Sequence, residues 1–200
     1  MHADTQQRLL DIAEQLFAER GFYGVSIAAI ASEVGFTKQG LLHYFNSKET
    51  LYGAILQRIS DDLHEQQNEA VQASEKSIER LKQFYATLAE PTETNTRRTR
   101  LLMRELLDNN ARATNAENWY LREFLERLIG MVKAIEALQT LSDEEALIFA
   151  YQLLGAVNYF LISPATLSGI FGKDLMQRVS DTFSAELNSL IAAKIQATGK

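Results

Sequence analysis

Only two prolines, Pro91 and Pro164, interrupt 200 residues, so the backbone has few places where a helix is forced to stop. The ten glycines fall mostly where a helix can end, and no segment alternates apolar and polar residues like a strand for more than a few positions. Apolar residues recur instead at helical spacing, which predicts an all-α fold of about nine helices. The chain has no cysteine. That excludes a disulfide framework, a thiolate zinc site and a cysteine nucleophile, and fits a reducing, cytoplasmic setting. The first fifteen residues lack the basic start and apolar stretch of an export signal. The most apolar window, Ala146 to Ile162, contains Gln152 and Asn158 and follows three acidic residues, so it is expected to be a buried bundle helix and not a membrane span.

Leu9, Ile12, Ala13, Leu16 and Phe17 form the stripe of a first amphipathic helix that stops at Gly21. Ser26 is placed to cap a short second helix carrying Ile27, Ile30, Ala31 and Val34, with Gly35 as its left-handed stop. Thr37 caps again at once, over a brief third helix from Lys38 to Phe45. A fourth, with Leu51, Ile55, Ile59 and Leu63, begins after Asn46 and Ser47. The composition then turns polar from His64 to Ser77, and a module boundary is expected near residues 60 to 70, giving domains 1–60 and 61–200. Further helices are read around Ile78 to Leu88, from about Arg97 to Asp108, along Leu121 to Leu138, from the Ser142–Glu145 capping box to Ser163, and around Met176 to Ile191. Pro91 to Thr96, Asn109 to Asn115 and Pro164 to Gly172 read as loops.

Two short helices joined by a three-to-four-residue turn with a glycine are the helix-turn-helix arrangement, whose second helix enters the DNA major groove. Residues 27–45 fit it. Ile30, Val34 and Leu41 can hold the helices crossed, while Lys38, Gln39, His43 and Tyr44 supply hydrogen-bonding groups. The net charge of −6 argues against a non-specific coat on nucleic acid and leaves room for a local basic site.

Gly35 to Glu49, read Gly-Phe-Thr-Lys-Gln-Gly-Leu-Leu-His-Tyr-Phe-Asn-Ser-Lys-Glu, resembles the signature of the TetR family of transcriptional regulators. The upstream Leu16 to Phe22 and Ser26 to Ala31 match it as well. The resemblance covers residues 5 to about 58. Beyond it, only length and helical content agree. It implies that Ser26, Thr37, Tyr44 and Lys48 contact phosphates and that Lys38, Gln39, Gly40, Leu42 and His43 lie along the recognition helix. The chemistry of the residues agrees for most of them. Ser26 and Thr37 put hydroxyls and backbone N–H groups at helix N-termini, Gln39 suits adenine, and Lys38 suits guanine or a phosphate. Gln39 and Gly40 stand where the family more often has Gly followed by Thr, Ser or Ala, and Leu42 stands where a tyrosine often contacts the backbone. Altered specificity is expected from this, with Leu42 free to meet a thymine methyl. Tyr44 also has a packing reading.

The resemblance further implies a homodimer on a palindromic double-stranded DNA operator, released by a small-molecule inducer. The pairing helices would be those around Ala146 to Ile162 and Leu175 to Ile195, which could instead face their own core. Phe84, Tyr85, Trp119, Phe124, Tyr151, Asn158 and Tyr159 are candidates to line an inducer pocket, against the commoner reading of aromatics as core. Arg97, Arg98, Arg100 and Arg104 read as a solvated helix face, with an anionic ligand or a contact to the DNA-binding module as alternatives. His2, His43 and His64 lack metalloprotease spacing, and no phosphate loop or Ser-His-acid set occurs, so neither an enzyme nor a metal or cofactor site is expected. The competing class is a helical interaction module that uses the first helices only for packing. A ligand-activated regulator fits the same residues.

Overall fold

A computed structural model of the chain describes residues 2–108 and 119–198. Among them are ten α-helices: α1 (His2–Arg20), α2 (Ile27–Val34), α3 (Lys38–Tyr44), α4 (Lys48–Ala73), α5 (Ser77–Ala89), α6 (Glu93–Asp108), α7 (Arg122–Lys133), α8 (Asp143–Ile162), α9 (Pro164–Phe171) and α10 (Lys173–Thr198). A 3-10 turn, Glu136–Leu138, follows α7. The fold is all-α, with no strand among the described residues.

Local capping chemistry sets the short helices. Ser26 Oγ accepts from the Ala29 N–H at 3.1 Å and Thr37 Oγ1 from the Gly40 N–H at 3.0 Å, each satisfying one orphan donor of a first turn. Gly35 sits at φ 75°, a left-handed value that a residue with a Cβ rarely adopts. It lets the Phe36 N–H reach the Ala31 carbonyl at 2.8 Å and its own N–H reach Ser32 at 3.1 Å, the double closure of a Schellman turn. The Ser142–Glu145 capping box that opens α8 is present in both directions.

Four expectations change. The helix read along Leu121 to Leu138 stops at Lys133, because Ile135 turns extended before the 3-10 turn. The Pro164 to Gly172 segment is a helix: Pro164 occupies the first turn, where its missing N–H costs nothing, and the chain turns only at Gly172. The helix beginning at Lys48 does not end in the polar tract but continues to Ala73, because Gln67 and Ala70 keep a buried face while Glu65, Asn68 and Glu69 meet solvent. Helix α6 begins at Glu93, inside the segment read as a loop.

The described residues divide into two compact units, Met1–Asp61 with Thr96–Tyr120 and Asp62–Asn95 with Leu121–Lys200. In the first, Leu9, Phe17, Ile30, Leu41, Leu51 and Ile55 form a core with almost no exposure, and Phe17 packs edge-on to Tyr52 at 5.0 Å. In the second, α8 runs against α5 and α7. Among the described helices, α8 has the length and hydropathy of a membrane span, being 20 residues long where the apolar window suggested fewer. Here it buries Ala146, Phe149, Ala150, Leu153 and Val157, and the Tyr85 hydroxyl donates to its Ala150 carbonyl at 3.1 Å.

Candidate nucleic-acid interface

Helices α2 and α3 with the turn Gly35–Thr37 form a helix-turn-helix in which Ile30 and Leu41 are fully buried. That burial fixes which side of α3 faces out. Lys38, Gln39 and His43 are exposed, and Leu42 and Tyr44 are half-buried. Both capping hydroxyls, Ser26 and Thr37, are spent as acceptors, so each keeps its O–H free to donate outward.

Ser26, Lys38 and Lys48 come together on one open cleft of about 580 Å³, with Tyr23 and the first turn of α2 on the same rim. The Lys48 ammonium lies 4.3 Å from the centre of the Phe22 ring, a cation-π contact that holds it there. Burial lowers its pKa, and the neighbouring Glu49 works in the opposite direction. A hydroxyl, two ammonium groups and the N-terminal turn of an eight-residue helix on one rim suit a phosphate. Sequence reasoning missed Tyr23, which is 74% exposed on this rim. Its signal would have been an aromatic ring just outside a helix stop, where no core partner is at hand.

Gly40 has a reason internal to the fold. A Cβ there would lie 3.2 Å from Phe36 and 3.3 Å from the Thr37 hydroxyl, crowding the cap. Tyr44 packs edge-on against Phe36 at 6.1 Å, so the packing reading applies to its ring.

Of the four α6 arginines, Arg97 and Arg98 are half-buried, whereas Arg100 and Arg104 are exposed. Glu14 of α1 is fully buried and receives Arg97 Nε at 2.8 Å and a terminal nitrogen of Arg58 at 2.5 Å, with Arg98 Nε at 3.9 Å. Arg58 also reaches Asp11 at 2.6 Å. Burial pulls the Arg58 pKa down, and the hydrogen bonds and charges of Glu14 and then Asp11 outweigh it, so the group stays above its ordinary value. Arg104 donates to the Ala18 and Glu19 carbonyls at 3.1 and 3.0 Å, placing a cation on the negative end of α1. Tyr52 donates to buried Glu105 at 2.8 Å. Arg97, Arg98 and Arg104 thus contact α1 of the amino-terminal module, one of the alternatives to a solvated face.

Of the seven candidates for an inducer pocket, the six in the second unit divide between core and surface. Phe84, Tyr85 and Phe124 are buried, with Phe84 and Phe124 rings 6.1 Å apart. Tyr151 and Tyr159 are 54% and 62% exposed, Asn158 is half-buried, and Trp119 belongs to the first unit.

Residues 9–55 match the family described as bacterial regulatory proteins, tetR family. The HTH-type transcriptional repressor KstR2 of Rhodococcus jostii is 43% identical over 63 residues, 32% of this chain and 31% of that protein. Such matches span about a third of the length of the curated relatives. A solved TetR-family regulator from Bordetella parapertussis superposes with a TM-score of 0.70 at 19% identity, covering 93% of each chain. The structure of AibR in complex with isovaleryl coenzyme A and operator DNA gives 0.62 at 22%, covering 78% of this chain and 85% of that one. The fold is therefore that of these regulators along most of the chain, while sequence likeness is concentrated in the first helices.

Proposed function

We propose that this chain, which carries the amino-terminal domain of the TetR family, is a homodimeric repressor that binds a palindromic operator and is released by a small-molecule inducer. The observation that carries the reading is the outward face of α3 beside the Ser26–Lys38–Lys48 cleft. In this reading Gln39 and His43 meet base edges, Leu42 meets a thymine methyl, Gly40 allows close approach, and Ser26, Thr37, Tyr44, Lys38 and Lys48 hold phosphates.

One recognition helix spans too few base pairs to be selective, and a dimer on two half-sites removes that limit. Helices α8 and α10 support a dimer: Ile148, Tyr151, Tyr159 and Leu190 are more than half exposed on them, apolar side chains that a second copy would cover. Inducer control is supported by the AibR complex, whose fold this chain shares and which holds an acyl-coenzyme A together with operator DNA. No catalytic role is assigned.

Selection from a random duplex library at one fixed salt concentration tests the reading. A palindrome with half-sites about one helical turn apart is expected. No enrichment from folded, dimeric protein would favour the interaction module.

A further inference from the structure

The second unit contains a cleft of about 270 Å³ between α4, α5 and α7. Val71 and Met131 give it an apolar lining, and Arg80 and Arg127 stand on its wall. Neither guanidinium is paired with a carboxylate. Arg80 spends its Nε–H on the Ser74 carbonyl at 2.7 Å, and Arg127 one N–H on Asn68 Oδ1 at 3.1 Å, out of five donors each. Two cations without counter-charge beside apolar surface are an anion site in search of its anion, because the planar forks match a carboxylate or phosphate in two parallel hydrogen bonds.

Gln67 adds an independent observation. It lines the same cleft, is 2% exposed, and donates its amide to the Phe124 carbonyl at 3.2 Å. That bond fixes the amide orientation and leaves Oε1 buried with no donor. A buried acceptor without a partner is costly, and a ligand hydroxyl or N–H would satisfy it.

The geometry points to this cleft as the binding site for a small amphiphile with an oxyanion head, carboxylate or phosphate monoester, held by Arg80 and Arg127 over Val71 and Met131. The volume lies just below the roughly 300 Å³ at which drug-sized sites begin, so a compact chain or a single ring fits. The cleft stands on its own residues. Only its role as the inducer site rests on the repressor reading.

The structure also supplies a clean way to close it. Gly130 lines the cleft within helix α7, and a Cβ built there meets nothing within 4 Å. Gly130→Leu therefore fills the cleft while replacing a poor helix former with a good one. Calorimetric titration of the full chain would use octanoate, octyl phosphate and octan-1-ol as probes. Saturable binding of octanoate or octyl phosphate at one per chain is expected, with octan-1-ol at least about tenfold weaker and Arg127→Ala weakening the anion about tenfold, as loss of a charged hydrogen bond implies. Gly130→Leu should abolish binding with its thermal midpoint kept or raised. The better of the two anions identifies the head group. Equal binding of octan-1-ol, unchanged affinity in both variants, or no binding of either anion would overturn the site. Binding that is weakened by Arg127→Ala and lost in Gly130→Leu upholds it even if operator affinity stays constant; that constancy would count against the inducer role alone.

Discussion

The two units bury different chemistry. The first encloses two carboxylates, Glu14 and Glu105, and answers them with arginines and a tyrosine hydroxyl. The second has no buried carboxylate among its described residues and keeps its ion pairs at the rim, as at Lys133–Asp143, where the side chains are 34% and 73% exposed. Apolar faces tolerate sliding and repacking, whereas a buried charge must find its partner. The difference teaches where each unit is sensitive: the first in the alignment of α1, α4 and α6, the second in the volume of its core.

Breaking the Glu14 cluster should have the largest effect. Arg58→Ala leaves a fully buried carboxylate short of a partner and is expected to destabilise the first unit by about 3–5 kcal/mol, read as a large fall in urea midpoint by circular dichroism. A loss no larger than that of a surface pair would erase the contrast between the units.

Lys48→Ala probes the same unit at its surface. It should weaken binding to specific and random duplex alike, by about tenfold, and make the plot of log affinity against log salt shallower by about one. Fold stability should hardly change.

Tyr85→Phe tests the second core. Burial holds the phenol above its ordinary pKa of 10.0, so the neutral form is favoured in the folded chain. Its contribution is complete below that value and is lost as pH rises past it, because the unfolded phenol ionises first. At neutral pH the variant should cost about 1 kcal/mol through the lost hydrogen bond. Above pH 10.0 the difference should shrink, which paired urea titrations at neutral and alkaline pH would show.

Lys133→Ala is the smallest step, under about 1 kcal/mol for a pair this exposed. A cost matching that of Arg58→Ala in the same urea series would mean that rim pairs hold the second unit as firmly as buried ones hold the first.

The same contrast separates what could be read in the sequence from what could not. Ser26, Thr37, Gly35 and the Ser142–Glu145 box act over three or four residues, so their spacing is their structure. Glu14 looked like any acid on an amphipathic helix because its partners lie 44 and 83 positions away. Pro164 opens a helix instead of preventing one, since only the position of a proline within the first turn decides its effect. The aromatics read as a pocket became core at Phe84 and Phe124: periodicity identifies a buried face without naming what fills it. The Arg80–Arg127 cleft joins residues from separate helices and left no local pattern.

The most direct measurement is library selection with the wild type and Gln39→Ala side by side at one salt concentration. Both proteins are expected to retain a palindrome of the same spacing, with the variant relaxing its preference at one position in each half-site by about 1–3 kcal/mol. An identical motif, with equal loss on specific and random duplex, would contradict base reading by Gln39 on α3.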